Sequence, residues 1–295
     1  MRYSLKKAIY VLLPLAAYMI VNDLARYTLA FVMQQIFKDN SDMRTLIADN
    51  QALVSGIIAI IAMLIGAYVL LVLMKRDEME LALSDYVNLR GVSFYRADKL
   101  HPTWVSYVLI VLQAISAAIG LNALLYLTGL VAASDSISHS DNRYAIPVWL
   151  GIILYGFISP GVEELLHRLV IFGRLKRCYP FFVSVLVSAL FFGLFHMNLV
   201  QIVYGSLMGI LMCLAVEYVH SIWGSFLMHS VANLTVYIMS AVGIFSKLGS
   251  WSICYVCLAI AIVTLILEMF WTYKSAKEIG IPLGVERVGI FFIDE

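Results

Sequence analysis

Repeated long apolar runs constrain this chain more than any other feature. A helix needs about 20 mostly apolar residues to cross a hydrocarbon core about 30 Å thick. Eight runs of that order occur, at residues 8–36, 52–74, 104–132, 145–175, 180–199, 201–219, 222–245 and 251–272. Hydrophobic residues make up 62% of the 295 and charged residues 13%. Ordinary soluble domains hold roughly 45–50% and 25%, so a soluble fold could not hide this much apolar surface. The solvent for most of the chain is lipid, which excludes a soluble enzyme, a disulfide-stapled secreted module and a disordered region. Backbone groups in lipid must be satisfied within the segment, and ten-residue alternating strands are absent. The fold class is therefore all-α, a polytopic membrane bundle of about eight transmembrane helices.

Charge sets the expected orientation. With the N-terminus placed in the cytoplasm, fifteen Lys and Arg fall on the cytoplasmic side. Lys38, Arg44, Arg143 and Lys247 fall on the other, and Arg26 lies inside the first span. That bias follows the positive-inside rule and puts both termini in the cytoplasm. An integral protein of a bacterial-type cell membrane is expected. The 75–103 connection reads as a polar, partly helical segment suited to the interface. Net charge is +1 with no long basic run, so a nucleic-acid partner is not expected. The N-terminal Lys6-Lys7 and following apolar run lack an A-x-A cleavage site, so a retained first span is expected. Cys254 and Cys257 form a CxxC inside a span, where plain packing is the better reading.

Ionisable side chains inside spans are costly and therefore informative. Asp23 and Arg26, three residues apart, can pair on one face of the first span. Glu217 and Glu268 lie near predicted cytoplasmic ends, where carboxylates can reach water. Gly205 and Gly209 form a GxxxG, a signature of close helix packing. The fourth span differs from these: it carries Glu163, Glu164, His167 and Arg168 within six residues, just after Pro160-Gly161. Glu164 and Arg168 are four apart and face each other. The fifth span ends FFGLFHMN, with Phe192 and His196 four apart, and the seventh holds His229 and Asn233 one turn apart. At the helical rise, Glu163 lies about 21 Å, His196 about 24 Å and His229 about 12 Å from their expected cytoplasmic boundaries. Three separate spans thus bring polar groups to compatible depths, enough to build one polar cavity.

A carboxylate and a histidine around one water can activate it. A second histidine and an asparagine on one face can donate hydrogen bonds to a developing oxyanion. Arg168 can hold a neighbouring glutamate ionised and oriented. This inventory fits peptide-bond hydrolysis, with no serine or cysteine nucleophile evident. A metal site is the alternative: His196, His229 and one glutamate would give a His₂Glu set with an open position, although HExxH is absent.

The three motifs EELLHR at 163–168, Phe192 to His196 and His229 to Asn233 carry a family resemblance. They match EExxxR, FxxxH and HxxxN in order and in placement on separate spans. The chain resembles the CPBP intramembrane proteases, the group of CAAX prenyl-protein endoproteases and bacteriocin-processing or self-immunity (Abi) proteins. The resemblance covers about residues 145–245. It implies Glu163 as the water-activating carboxylate with His196 assisting, His229 and Asn233 as oxyanion stabilisers, and Glu164 and Arg168 as their support. It implies no required cofactor, with a divalent metal such as zinc left open. The partner it implies is a peptide or membrane-anchored protein, lipidated or not. A non-catalytic immunity or scaffold protein binding a peptide in the same cavity is the alternative, and a proton-coupled carrier a more distant one. Three regions are expected: residues 1–144 with three spans, a core of four spans over 145–245, and residues 246–295 with the last span and a tail.

Overall fold

The structure, a computed structural model, describes residues 2–85, 103–133, 146–219, 221–243 and 250–278. The described residues are helical and contain no strand. In chain order the helices are α1 (Arg2–Ile36), α2 (Ser41–Asp49), α3 (Gln51–Asp85), α4 (Trp104–Leu127) and α5 (Leu130–Ala133). Next come α6 (Val148–Cys178), α7 (Phe181–Leu194), α8 (Leu199–Val219), α9 (Ile222–Ala241) and α10 (Trp251–Glu278). Seven of them are long and apolar enough to cross a membrane. The polar connection expected at 75–103 begins as a continuation of α3 to Asp85. Its remainder to residue 102, and the tail beyond Glu278, lie outside the described residues.

The fifth expected span, 180–199, is shorter in the structure. Helix α7 has 14 residues, which at the helical rise is about 21 Å, less than the thickness of a hydrocarbon core. Its apolar run continues in sequence through Phe195, but the helix does not. The His196 and Met197 amides donate to the Gly193 and Leu194 carbonyls, 3.1 Å each, and tighten the last turn. Met197 then adopts φ +54°, the left-handed conformation that ends a helix. Asn198 starts α8, its Oδ1 accepting from the Val200 and Gln201 amides at 3.1 and 3.3 Å. The turn thus satisfies much of its backbone locally, the condition for irregular chain at membrane depth.

The α7–α8 hairpin is tight because its facing positions are small. A Cβ on Gly193 would lie 2.4 Å from the Ile202 carbonyl oxygen, and one on Gly209 would lie 2.9 Å from Ala189 Cα. The GxxxG at Gly205 and Gly209 therefore packs as its spacing suggests. Two apolar clusters flank the hairpin. One joins α4, α7, α8, α9 and α10 through Ile110, Phe192, Met208, Met228 and Ala261. The other seats α1 and α3 on α6 through Val11, Tyr18, Leu70, Leu166 and Ile171.

Several polar expectations resolve here. Asp23 and Arg26 are exposed on α1 and make no ion pair among the described residues; Asn22 is the buried member of that group. Glu217 pairs with Lys176. Glu268 does not reach water: it is 2% exposed and neither carboxyl oxygen has a hydrogen-bond partner among the described residues. Cys254 packs against α4, its thiol 3.6 Å from the Gly120 carbonyl, and no disulfide joins any of the four cysteines.

Candidate active site

Helix α6 places the acidic residues, and its backbone is irregular where it does so. It winds with i→i+5 bonding over Leu154–Ile158 and again over Leu165–Phe172, with a normal α-helical stretch between. Such π-helical turns cost backbone energy and concentrate at functional sites. Proline fits this pattern. The Ser159 amide donates to Leu154 O in the i→i+5 register. The next donor in that register would be residue 160, which is Pro160 and has no N–H. The Tyr155 carbonyl is served from another helix instead: Asn233 Nδ2 of α9 donates to it at 3.1 Å. Pro160-Gly161 thus neither breaks the helix nor starts a new one; it leaves an acceptor that ties α6 to α9.

Around that tie the titratable residues sort into two layers. Glu163 is 8% exposed and reaches a cavity of about 400 Å³ together with Ser159, Phe192, His196, His229 and Asn233. The Ser159 hydroxyl donates to Glu163 Oε1. Glu163 Oε2 has no hydrogen-bond partner among the described residues and lies 3.7 Å from His229 Nε2. His196 hydrogen-bonds through Nδ1 to the Phe192 carbonyl at 2.9 Å, which makes Nδ1 the protonated nitrogen and leaves Nε2 as the free one.

Behind this layer sit Glu164 and Arg168, both almost completely buried and outside the cavity lining. Glu164 Oε1 meets His229 Nδ1 at 2.8 Å, and its Oε2 meets Arg168 Nε at 3.2 Å. Arg168 Nη2 also reaches Met212 Sδ at 3.1 Å and the Gly209 carbonyl at 3.4 Å. A buried carboxylate persists only when paired and hydrogen-bonded; here the guanidinium and the imidazole pair with it, and the Ser225 hydroxyl adds a hydrogen bond. The pair fixes the ring of His229 and the nitrogen it turns to Glu163.

Phe192 holds the cluster together. Its ring centroid lies 5.2 Å from those of His167 and His196 and 5.3 Å from that of His229, all edge-on, with the Arg168 guanidinium 4.2 Å over its face. His167 is the member that stands apart. It is fully buried between Phe192 and Phe195, neither ring nitrogen has a hydrogen-bond partner among the described residues, and it does not line the cavity.

All six residues singled out from the motifs therefore converge: Glu163, His196, His229 and Asn233 on the cavity, Glu164 and Arg168 behind them. Sequence reasoning missed Ser159 and Tyr155. The hydroxyl one turn before Glu163 was a readable signal; the Tyr155 carbonyl was not, since nothing local reveals which backbone carbonyl accepts from another helix. Among the described residues no group of three His, Cys, Asp or Glu side chains is arranged to hold a metal ion. His229 is already faced by carboxylates at both nitrogens, and His196 has one nitrogen committed to backbone.

The chain is similar to the protein named "Putative membrane peptidase YdiL" of Bacillus subtilis (strain 168), 31% identical over 105 residues. That match takes in 34% of this chain and 43% of the relative, so the chain spans less than half of that protein's length. No solved structure matches the chain. Residues 145–235, which hold every side chain described above, match the family model "Type II CAAX prenyl endopeptidase Rce1-like". Over this segment, about a third of its length, the chain is similar to the Rce1-like family of type II CAAX prenyl endopeptidases.

Proposed function

We propose that this chain is an intramembrane endopeptidase that hydrolyses a peptide bond of a peptide or membrane-anchored protein through a water activated by Glu163. The observation that carries the reading is convergence: Glu163, His196, His229 and Asn233 reach one cavity from α6, the α7–α8 turn and α9. The match to an endopeptidase family over residues 145–235 supports it.

The chemistry follows from which atoms are already committed. Glu163 Oε1 is held by Ser159, so Oε2 is the oxygen open to a water. Water loses a proton to Glu163, and its oxygen attacks the scissile carbonyl carbon. His196, with Nε2 free, accepts a hydrogen bond from the same water and orients it. The carbonyl oxygen gains negative charge and is met by N–H donors. Asn233 spends one amide hydrogen on Tyr155 and has a second to give. A doubly protonated His229 would give Nδ1–H to Glu164 and turn Nε2–H to the substrate oxygen. As the C–N bond breaks, the proton held by Glu163 passes to the leaving amine. Among the described residues no three His, Cys, Asp or Glu side chains are arranged to hold a metal ion.

Glu163→Gln tests the reading. The amide keeps the shape and the Ser159 hydrogen bond but cannot take the proton. Removing a general base costs about 10²–10⁴ in rate, so cleavage of a labelled peptide library by the purified variant should fall at least a hundredfold. The library includes prenylated peptides, and each protein is assayed with and without chelator. Turnover equal to wild type in the variant would overturn the assignment. Loss on chelation with recovery on added zinc would overturn the metal-free mechanism.

A further inference from the structure

The face of α1 turned away from the bundle carries two opposite charges at the depth where a membrane tolerates them least. Helix α1 docks on α3 and α6 through Val11 and Tyr18, with Asn22 buried beside them. Asp23 and Arg26 stand outside that contact and are exposed. So are Ile20 and Tyr27, at 66% and 76%. Asp23 lies about 22 Å from Ala8 and about 20 Å from Ile36, the two ends of the apolar span. The neighbouring helix gives the same depth. A Cβ on Gly66 of α3 would lie 2.7 Å from the Tyr18 ring and 3.6 Å from Asn22 Cβ. Gly66 itself stands about 15 Å from Arg76 and about 22 Å from Gln51, the ends of its own span. Asp23 and Arg26 therefore sit near the bilayer midplane, on a surface that faces lipid.

Ionisable groups at that depth face the interior of a bundle and pair with one another. Within one chain these two do neither. They are three residues apart, yet make no ion pair among the described residues. What they require opposite them is a carboxylate and a guanidinium at matching depth. A second copy of this chain supplies that set by symmetry. Two copies inserted with the same orientation are related by a two-fold axis along the bilayer normal, so equal depths meet. Arg26 then lies about 4.5 Å along the axis from the partner's Asp23, an offset its long side chain spans. The two-fold repeats the contact, and guanidinium–carboxylate pairing is strong and directional. The four charges close into a ring of zero net charge. Ala16 and Ala30 stand seven residues before and after Asp23, both exposed. Small residues in this register let two membrane helices approach closely.

We propose that α1 is a self-association surface, through which two copies of the chain pair with Asp23 of one against the partner's Arg26 and the reverse. The surface lies outside residues 145–235, the segment similar to the endopeptidase family. It is independent of the hydrolytic reading, and its test involves no cleavage.

Full-length chains fused to donor or acceptor fluorescent proteins are reconstituted in phosphatidylcholine vesicles, and energy transfer is followed as lipid is added. Wild type should hold its transfer through about a tenfold dilution in lipid, where chance encounters fall in proportion. Asp23→Arg and Arg26→Asp each set like charges across the two-fold, and each alone should bring transfer down to the chance level. Donor chains carrying Asp23→Arg mixed with acceptor chains carrying Arg26→Asp face opposite charges again, and should regain most of the wild-type transfer. Tyr27→Cys keeps both charges and lies on the same face. On oxidation it should give a disulfide-linked dimer that wild type, with its four cysteines, does not give. Wild-type transfer that falls in proportion to dilution would overturn the proposal. So would full transfer in both single variants, or a mixture of folded variants no better than either alone. If the charge variants do not insert, the crosslink decides: no dimer from Tyr27→Cys overturns the proposal.

Discussion

At the residue scale the site is a set of commitments. Glu164 is spent on Arg168 and His229, His196 spends Nδ1 on backbone, and Ser159 occupies one oxygen of Glu163. What remains open is Glu163 Oε2, the free nitrogen of His196 and the donors of His229 and Asn233. Breaking a buried pair by removing one partner costs about 3–5 kcal/mol. Arg168→Met should therefore lower the midpoint of thermal unfolding in detergent sharply. Adding Glu164→Gln to the same chain removes the stranded charge and should recover much of that loss while activity stays low. A double variant no more stable than Arg168→Met would show that the ion pair does not govern the effect. The motifs made the pairing of Glu164 with Arg168 legible, because four residues on a helix fix which groups can meet. The same spacing does not pair Glu163 with His167, whose ring is enclosed between Phe192 and Phe195 instead.

At the element scale two departures from regular helix matter. Helix α7 stops at Leu194 and brings His196 to the head of a tight hairpin instead of carrying it through the bilayer. Hydropathy cannot see this stop, since Phe195 is as apolar as the residues before it. Helix α6 lacks one backbone donor at Pro160, and Asn233 fills the vacancy. Asn233→Ala should then cost stability as well as oxyanion stabilisation, by about 1 kcal/mol for the lost hydrogen bond. Pro160→Ala restores an N–H in that register. The combined Pro160→Ala, Asn233→Ala chain should unfold closer to wild type while cleavage stays at the single-variant level. Stability and activity recovering together would mean that Asn233 acts only as a structural tie.

At the scale of the whole molecule, the cavity is a property of the packed bundle. Its walls come from α4, α6, α7, α8 and α9. The basic residues Arg174, Lys176 and Arg177 close the opposite end of α6, where Arg174 and Arg177 bond to Tyr10 of α1. If that basic end is cytoplasmic, as the charge bias predicts, the Ser240 end of the cavity faces away from the cytoplasm. A membrane-impermeant maleimide applied to intact cells should label Ser240→Cys and should label Arg177→Cys only after permeabilisation. The reverse pattern would invert the orientation. The sequence by itself determined that the chain is a membrane helical bundle, because lipid leaves a backbone no other way to satisfy its hydrogen bonds over such long apolar runs. It also singled out six candidate residues, five of them ionisable groups that are too costly in lipid to be scattered without a cause. Only the tertiary structure decided which of them face the cavity and which stand behind it. That division depends on how five helices are rotated against one another, and the rotation is set by contacts far apart in sequence. The glycine approach between α7 and α8, the Asn233 bond to Tyr155 and the packing of four partners around Phe192 are such contacts, and no local spacing encodes them.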